Sequence, residues 1–120
     1  LPQQIMMERT DKDKVYFEMD IYWVALSEQD PVEWMNNYPQ RWPLVHVKDM
    51  EEKTVDIGST QLGTGKLNFK EILKTAKNIG TEYLIVEQEK FIDTTPMEAA
   101  VQNAVYMKQL KLSESRTSHF

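Results

Sequence analysis

The chain has 120 residues, 41% of them hydrophobic and 28% charged, with a formal net charge of −5 and no cysteine. This mixture predicts one globular domain with its own core, and it excludes disordered, fibrous and disulfide-stapled proteins. The acidic balance and the scattered Lys and Arg residues argue against nucleic acid as a partner. No apolar run approaches the roughly 18 residues that span a bilayer, and no signal-peptide pattern opens the chain, so we expect no membrane partner and a cytoplasmic location.

The first part of the chain predicts a helix end, a strand and a short helix. Residues 1–14 hold an amphipathic fragment followed by a charge run, and the aromatic and apolar residues of 15–24 predict the first strand. Asp30 is a residue type that caps helix starts, and Pro31 is favoured in the first helical turn, so a helix is predicted to begin at Pro31. Residues 36–39 end it, because the residue before a proline avoids helical angles.

The rest of the chain alternates two further strands with two helices. Residues 44–48 predict the second strand, and a long polar connection that contains glycines follows over 50–66. Residues 68–80 predict a helix between an Asn cap and a Gly stop, and residues 83–87 predict the third strand.

The last predicted helix begins at a Thr95-Pro96 cap and carries one stripe along its length. Residues 113–120 are expected to form a frayed tail. The stripe consists of Met97, Ala100, Val101, Ala104, Val105 and Lys108.

The order β-α-β-α-β-α predicts an α/β fold with a parallel sheet and right-handed crossovers. A doubly wound sheet and a part of a (β/α)8 barrel both fit this order. Three strands leave two open edges with unpaired N–H and C=O groups, so we expect a homo-oligomer or pairing with a missing amino-terminal half.

Polar side chains lie within each predicted strand or just after its end. Because parallel strands end at the same rim of a sheet, we expect these side chains to share that rim. They are Glu18, Asp20, His46, Lys48, Glu87 and Glu89.

The Gly63-Thr64-Gly65 turn before Asn68 has two interpretations. It can hold a phosphate at the amino terminus of the next helix. It can equally be a turn that needs the backbone angles of glycine.

Five motifs follow one another along the chain, namely Phe17–Val24, Asp30-Pro31, Leu44–Asp49, Gly63–Phe69 and Ile85–Glu89. In this order they resemble the carboxyl-terminal part of the sugar phosphate isomerase/epimerase family, the xylose-isomerase-like TIM-barrel group. The resemblance implies that residues 1–120 form a single partial barrel domain whose strands are the sixth, seventh and eighth. A whole barrel takes about 250 residues, so the chain is expected to be a little under half of one.

In this family a divalent metal lies at the carboxyl-terminal mouth of the barrel, and the resemblance implies that Asp20, His46 and Glu87 are ligands. The family's fourth ligand, a glutamate of the fifth strand, has no counterpart here. Oxygen and imidazole ligands suit Mn²⁺, Mg²⁺, Co²⁺ or Zn²⁺, and three ligands at an open mouth predict weak binding. A histidine at a strand end is by itself more often structural, so the assignment of His46 depends on the resemblance.

The resemblance also implies a reaction, which is proton transfer next to the carbonyl of a sugar or sugar phosphate through a metal-stabilised enediolate. Glu87 would move the proton, and Lys48 would either neutralise a substrate oxyanion or merely pair with a neighbouring carboxylate. The second base would be the missing fifth-strand glutamate, so the chain alone is expected to be inactive. Substrate contacts are expected from Glu18, Tyr22, Trp23 and Glu89, and Trp23 stands where many epimerases have a histidine.

Two other classes compete with this interpretation. A non-catalytic α/β fragment that self-associates and has no substrate fits the same elements, but it needs no divalent ion. A metal-dependent abasic-site nuclease on the related fold is disfavoured by the acidic charge and by the lack of a second histidine near the ligands.

Overall fold

The computed structural model describes residues 1–52 and 58–110. The predicted tail at 113–120 lies outside the described residues. In the described part the elements are α1 (Pro2–Arg9), β1 (Glu18–Asp20), α2 (Ile21–Leu26), α3 (Pro31–Asn37), β2 (Leu44–Val47), β3 (Asp49–Met50), β4 (Ser59–Thr60), α4 (Phe69–Asn78), β5 (Tyr83–Val86) and α5 (Pro96–Gln109).

The centre of the fold is a parallel sheet in the order β1-β2-β5. Asp20 lies opposite His46, and His46 lies opposite Ile85. The N–H of Glu87 donates to the carbonyl of Val47 at 3.1 Å and extends the ladder by one residue. The predicted parallel α/β arrangement is confirmed, and the carboxyl ends of the three strands meet at one rim.

The first strand is shorter than predicted. Pairing stops at Asp20, and residues Ile21–Leu26 form helix α2. The Asp20 carboxylate accepts the N–H of Trp23 at 3.2 Å and so caps this helix. Residues 21–24 were predicted as strand from their aromatic and branched side chains, but the cap favours a helical turn. Trp23 therefore lies on a helix at the end of β1.

The core forms where the sheet meets the helices. Val45 and Val47 of β2 are fully buried, and α3 packs against α4. Asn68 caps α4 through the N–H of Glu71, as predicted. The apolar face of α4 buries Phe69, Ile72, Leu73 and Ala76.

Helix α5 begins at the predicted cap but buries a different face from the predicted stripe. All six residues of the stripe are exposed, and Ala99 and Asn103 are buried instead. The reason is that α5 lies against the loop before α4, where Asn103 Oδ1 accepts the N–H of Leu62 at 2.9 Å. A backbone donor needs a polar partner, so the face with Asn103 packs inward.

The connection between β2 and α4 contains regular structure. Strands β3 and β4 form an antiparallel ribbon in which Met50 lies opposite Ser59. The sequence predicted a long polar loop here, and its residues 53–57 lie outside the described ranges. Within the described ranges, no helix has the length and apolar character needed to cross a membrane.

Candidate metal centre

Three possible ligands converge at the rim of the sheet. Asp20 ends β1, His46 lies in β2 and Glu87 directly follows β5. The register places Asp20 beside His46, and Glu87 lies two residues after Ile85, the partner of His46, so all three side chains share one face. One ligand atom from each lies within 4.8 Å of the others.

The two nitrogens of His46 have different neighbours. Nδ1 lies 3.1 Å from Glu87 Oε2 and 3.6 Å from Asp20 Oδ2, whereas Nε2 lies 2.9 Å from Glu18 Oε1. A carboxylate that binds one imidazole nitrogen orients the ring and leaves the other free to bind a metal. Glu18, predicted as a substrate contact, thus lies where it orients His46.

The rim is strongly acidic. Glu18, Asp20 and Glu87 surround His46, and Glu89 lies next to Lys48. Carboxylates that face one another repel, and a divalent cation placed among them relieves this repulsion. The donor set of two carboxylates and one imidazole therefore fits a divalent metal.

Lys48 is buried with its ammonium directed at this rim. Its side chain is 1% exposed, and Nζ lies 3.2 Å from Glu89 Oε2 and 4.0 Å from Glu87 Oε1. The rings of Tyr22 and Trp23 lie 4.9 and 5.5 Å from Nζ and so flank the cation. The hydrogen bond from Lys48 is the main cause that lowers the pKa of Glu89. Lys48 therefore pairs with a neighbouring carboxylate, which is one of the two roles predicted for it.

The predicted substrate contacts differ in exposure. Trp23 is 54% exposed, whereas Tyr22 is buried and packs edge-on against the Trp23 ring at 5.1 Å. Trp23 therefore offers an exposed ring surface at the rim, and the buried Tyr22 packs against both Trp23 and Lys48.

Sequence reasoning missed the role of Asp49, which organises the loop beside the site. Its fully buried carboxylate accepts four backbone N–H groups, with Gly63 and Gly65 on Oδ2, both at 3.0 Å, and Met50 and Leu67 on Oδ1 at 2.8 and 3.3 Å. Burial raises the pKa of Asp49, and the four donors offset this only in part. An Asp at a strand end followed by a Gly-x-Gly turn was the available signal.

Asp49 also decides between the two interpretations of the Gly63-Thr64-Gly65 turn. The N–H groups that would have faced a phosphate donate to the Asp49 carboxylate. A Cβ atom at Gly65 would collide with the Met50 carbonyl and the Asp49 carboxylate. Gly65 therefore permits a close approach within the chain. Gly63 has a positive φ of 86°, which is the backbone angle that the turn interpretation predicts.

The chain is similar to curated proteins and to solved structures. No protein-family profile matches the chain. The inosose dehydratase of Clostridium botulinum is 30% identical over 87% of this chain and 41% of its own length. The inosose dehydratase of Clostridium perfringens is 28% identical over the same shares.

Solved structures show the same likeness. The crystal structure of a sugar phosphate isomerase/epimerase from Parabacteroides distasonis matches with a TM-score of 0.73 and 37% identity, over 88% of this chain and 35% of that one. A xylose isomerase domain protein from Planctomyces limnophilus, 17% identical with a TM-score of 0.60, shares the fold alone. The chain spans 41% of the length of the curated relatives it matches. The comparisons confirm the predicted resemblance to the sugar phosphate isomerase/epimerase family and the predicted partial-barrel fold.

Proposed function

We propose that this chain, a relative of the sugar phosphate isomerase/epimerase family, forms part of the mouth of a (β/α)8 barrel that binds a divalent metal and acts on a sugar or sugar phosphate. The convergence of Asp20, His46 and Glu87 within 4.8 Å carries the proposal. These donors suit Mn²⁺, Mg²⁺, Co²⁺ or Zn²⁺. A divalent ion held there would polarise a substrate carbonyl and the adjacent hydroxyl.

Glu87 is the group that takes the proton in this proposal. Its side chain is 32% exposed at the rim, so a substrate carbon can reach it. The proton next to the carbonyl passes to the Glu87 carboxylate, and the electron pair of the broken C–H bond forms the enediolate. Lys48, whose Nζ lies 4.0 Å from Glu87, neutralises the developing oxyanion. The exposed ring of Trp23 contacts the apolar face of the sugar.

Two outcomes can follow the removal of this proton. Return of the proton at another face or carbon gives epimerisation or isomerisation, which agrees with the name of the Parabacteroides protein. In dehydration, the hydroxyl on the next carbon leaves with the electron pair of its C–O bond, takes a proton from the Glu87 carboxyl and departs as water, which agrees with the name of the clostridial proteins. Both outcomes begin with the step assigned to Glu87.

Calorimetric titration with Mn²⁺ tests the site. We expect weak binding that strengthens with pH, because the ligands bind metal in their deprotonated forms. His46→Ala and Asp20→Asn each remove a ligand and should abolish the heat. Lys48→Met is the matched control, because it removes a cation beside Glu87 and not a metal ligand. Loss of this positive charge should leave Mn²⁺ binding as tight as in the wild type or make it tighter.

Circular dichroism of each variant establishes that the fold is intact. If the wild type and the two ligand variants bind Mn²⁺ equally, the site lies elsewhere. If the wild type does not bind Mn²⁺, the non-catalytic fragment becomes the better interpretation.

We also propose that the chain associates through its uncovered apolar surface, either with a second copy or with further barrel strands. Tyr83 and Ile85 of the edge strand β5 are 61% and 41% exposed, and Val101 and Val105 of the α5 stripe are 58% and 47% exposed. A cleft of about 320 Å³, partly lined by Met19, borders β1 at the other edge. Such apolar patches and free strand edges mark interaction surfaces.

Light scattering at micromolar concentration tests this association. We expect a mass above the 14.1 kDa of one chain, and we expect Val101→Glu to reduce it because a charge then enters the apolar stripe. Gln102→Glu adds the same charge at the next exposed position, outside the stripe, and should leave the mass unchanged. A monodisperse monomer with a cooperative melt would contradict the proposal.

A further inference from the structure

A buried hydroxyl joins the two segments that flank the candidate metal centre. Ser59 lies in β4, after the second strand of the sheet, and is 4% exposed. Its Oγ accepts the N–H of Glu89 at 2.8 Å and the N–H of Lys90 at 3.1 Å. The contact therefore connects the ribbon after β2 with the segment after β5.

Residues 87–90 lie beyond the end of β5, so side chains from other parts of the fold hold most of this segment. Besides Ser59, Glu51 Oε2 lies 2.9 Å from Lys90 Nζ. Asn103 donates to Gln88 Oε1 at 3.0 Å, and Gln88 donates in turn to the Lys90 carbonyl at 2.9 Å. Ser59 accepts the backbone N–H groups of Glu89 and Lys90, and the N–H of Glu87 donates to the Val47 carbonyl. The two Ser59 contacts therefore fix the path of the main chain after Glu87.

Two carboxylates of the site belong to this segment. Glu87 lies 3.1 Å from His46, and Glu89 lies 3.2 Å from Lys48. Both distances depend on the course of the chain between Val86 and Lys90. An Ala at position 59 would leave two N–H groups without their acceptor, and the segment would move toward other partners or water.

We propose that Ser59 is a positioning residue, whose hydroxyl holds residues 87–90 so that Glu87 stays in the metal centre and Glu89 stays on Lys48. Ser59 is itself well supported, because β4 pairs with β3, where the buried Asp49 anchors the loop. The effect on metal affinity rests on the proposed function. The effect on the Glu89–Lys48 contact does not.

The test compares Ser59→Ala with Thr81→Val. Thr81 is a matched control because its hydroxyl is also buried, at 7% exposure, and donates to a backbone carbonyl, that of Trp42, at 2.8 Å before β5 begins. We expect Ser59→Ala to weaken Mn²⁺ binding about tenfold, since supporting contacts of metal ligands have effects of this size. Thr81→Val should leave the Mn²⁺ affinity within about twofold of the wild type, even if it lowers the stability of the fold as much as Ser59→Ala does.

Nuclear Overhauser contacts between the Lys48 and Glu89 side chains give a second, metal-free measurement. We expect Ser59→Ala to lose them and Thr81→Val to keep them. Equal loss in both variants, or no loss in Ser59→Ala, overturns the positioning role. If the wild type binds no Mn²⁺, the proposed function fails, and the Lys48–Glu89 contacts alone decide the role of Ser59.

Discussion

Asp49→Asn is expected to lower the free energy of unfolding by about 2–4 kcal/mol, although the two side chains have nearly the same shape. Each Asp49 oxygen accepts two backbone N–H groups. An amide NH₂ must replace one of these oxygens and would face two N–H donors. The variant thus loses two buried hydrogen bonds and places donors against donors.

Urea denaturation at fixed protein concentration measures this difference in the free energy of unfolding. The slope of that free energy against urea concentration should be the same in both proteins, since a different slope would indicate a change in the unfolded state. Asp30→Asn is the matched control, because Asp30 also accepts a backbone N–H, from Val32 at 2.8 Å, but does so at a helix start. Asn caps helices as well as Asp does, so this variant should stay within about 0.5 kcal/mol of the wild type. A similarly small change in Asp49→Asn would show that the carboxylate does not anchor the loop.

Local signals in the sequence predicted the helix starts well. Asp30, Asn68 and Thr95 all cap helices through contacts that span two or three residues. The Thr95 cap is reciprocated by Glu98. Such contacts depend on neighbouring residues alone, so the sequence contains all the information they need.

Errors arose where distant parts of the chain decide the outcome. The stripe of α5 was a valid apolar pattern, but the inward face is set by Leu62, which lies 41 residues before Asn103. Asp49 and Ser59 also form hydrogen bonds with residues far from them in the sequence. No periodic pattern in the sequence indicates these contacts. The end of β1 was misjudged because the cap formed by Asp20 competes with the strand preference of the residues that follow.

The candidate site was predictable in position but not in detail. Parallel strands bring their carboxyl ends to one rim, which places Asp20, His46 and Glu87 in the same region. Their convergence also needs the register between strands, which the sequence alone does not specify. The orientation of His46 by Glu18 depends on a rotamer and appears only in the structure.

The largest kinetic effect is expected for the chain assayed alone, which should invert the carbon next to the carbonyl of a keto-sugar at least about 100-fold more slowly than an enzyme with a complete acid/base pair. In the proposed reaction Glu87 is one base at the rim, and its half-buried carboxylate lies 3.1 Å from His46. The family resemblance assigns the second base to a fifth-strand glutamate, and β1, β2 and β5 correspond to later strands. One base can remove a proton, but inversion also needs a base that returns it on the opposite face of the sugar.

Appearance of the epimer, followed by NMR with saturating Mn²⁺ and inosose or a ketose phosphate, measures this rate. We expect the wild type to match Glu87→Gln, in which the candidate base is replaced by a neutral side chain of the same size. Glu89→Gln, two residues on, removes a carboxylate that lies on Lys48 and should give the same low rate. Rapid epimerisation in the wild type and in Glu89→Gln, lost in Glu87→Gln, would instead establish that the rim of these three strands supplies both proton transfers.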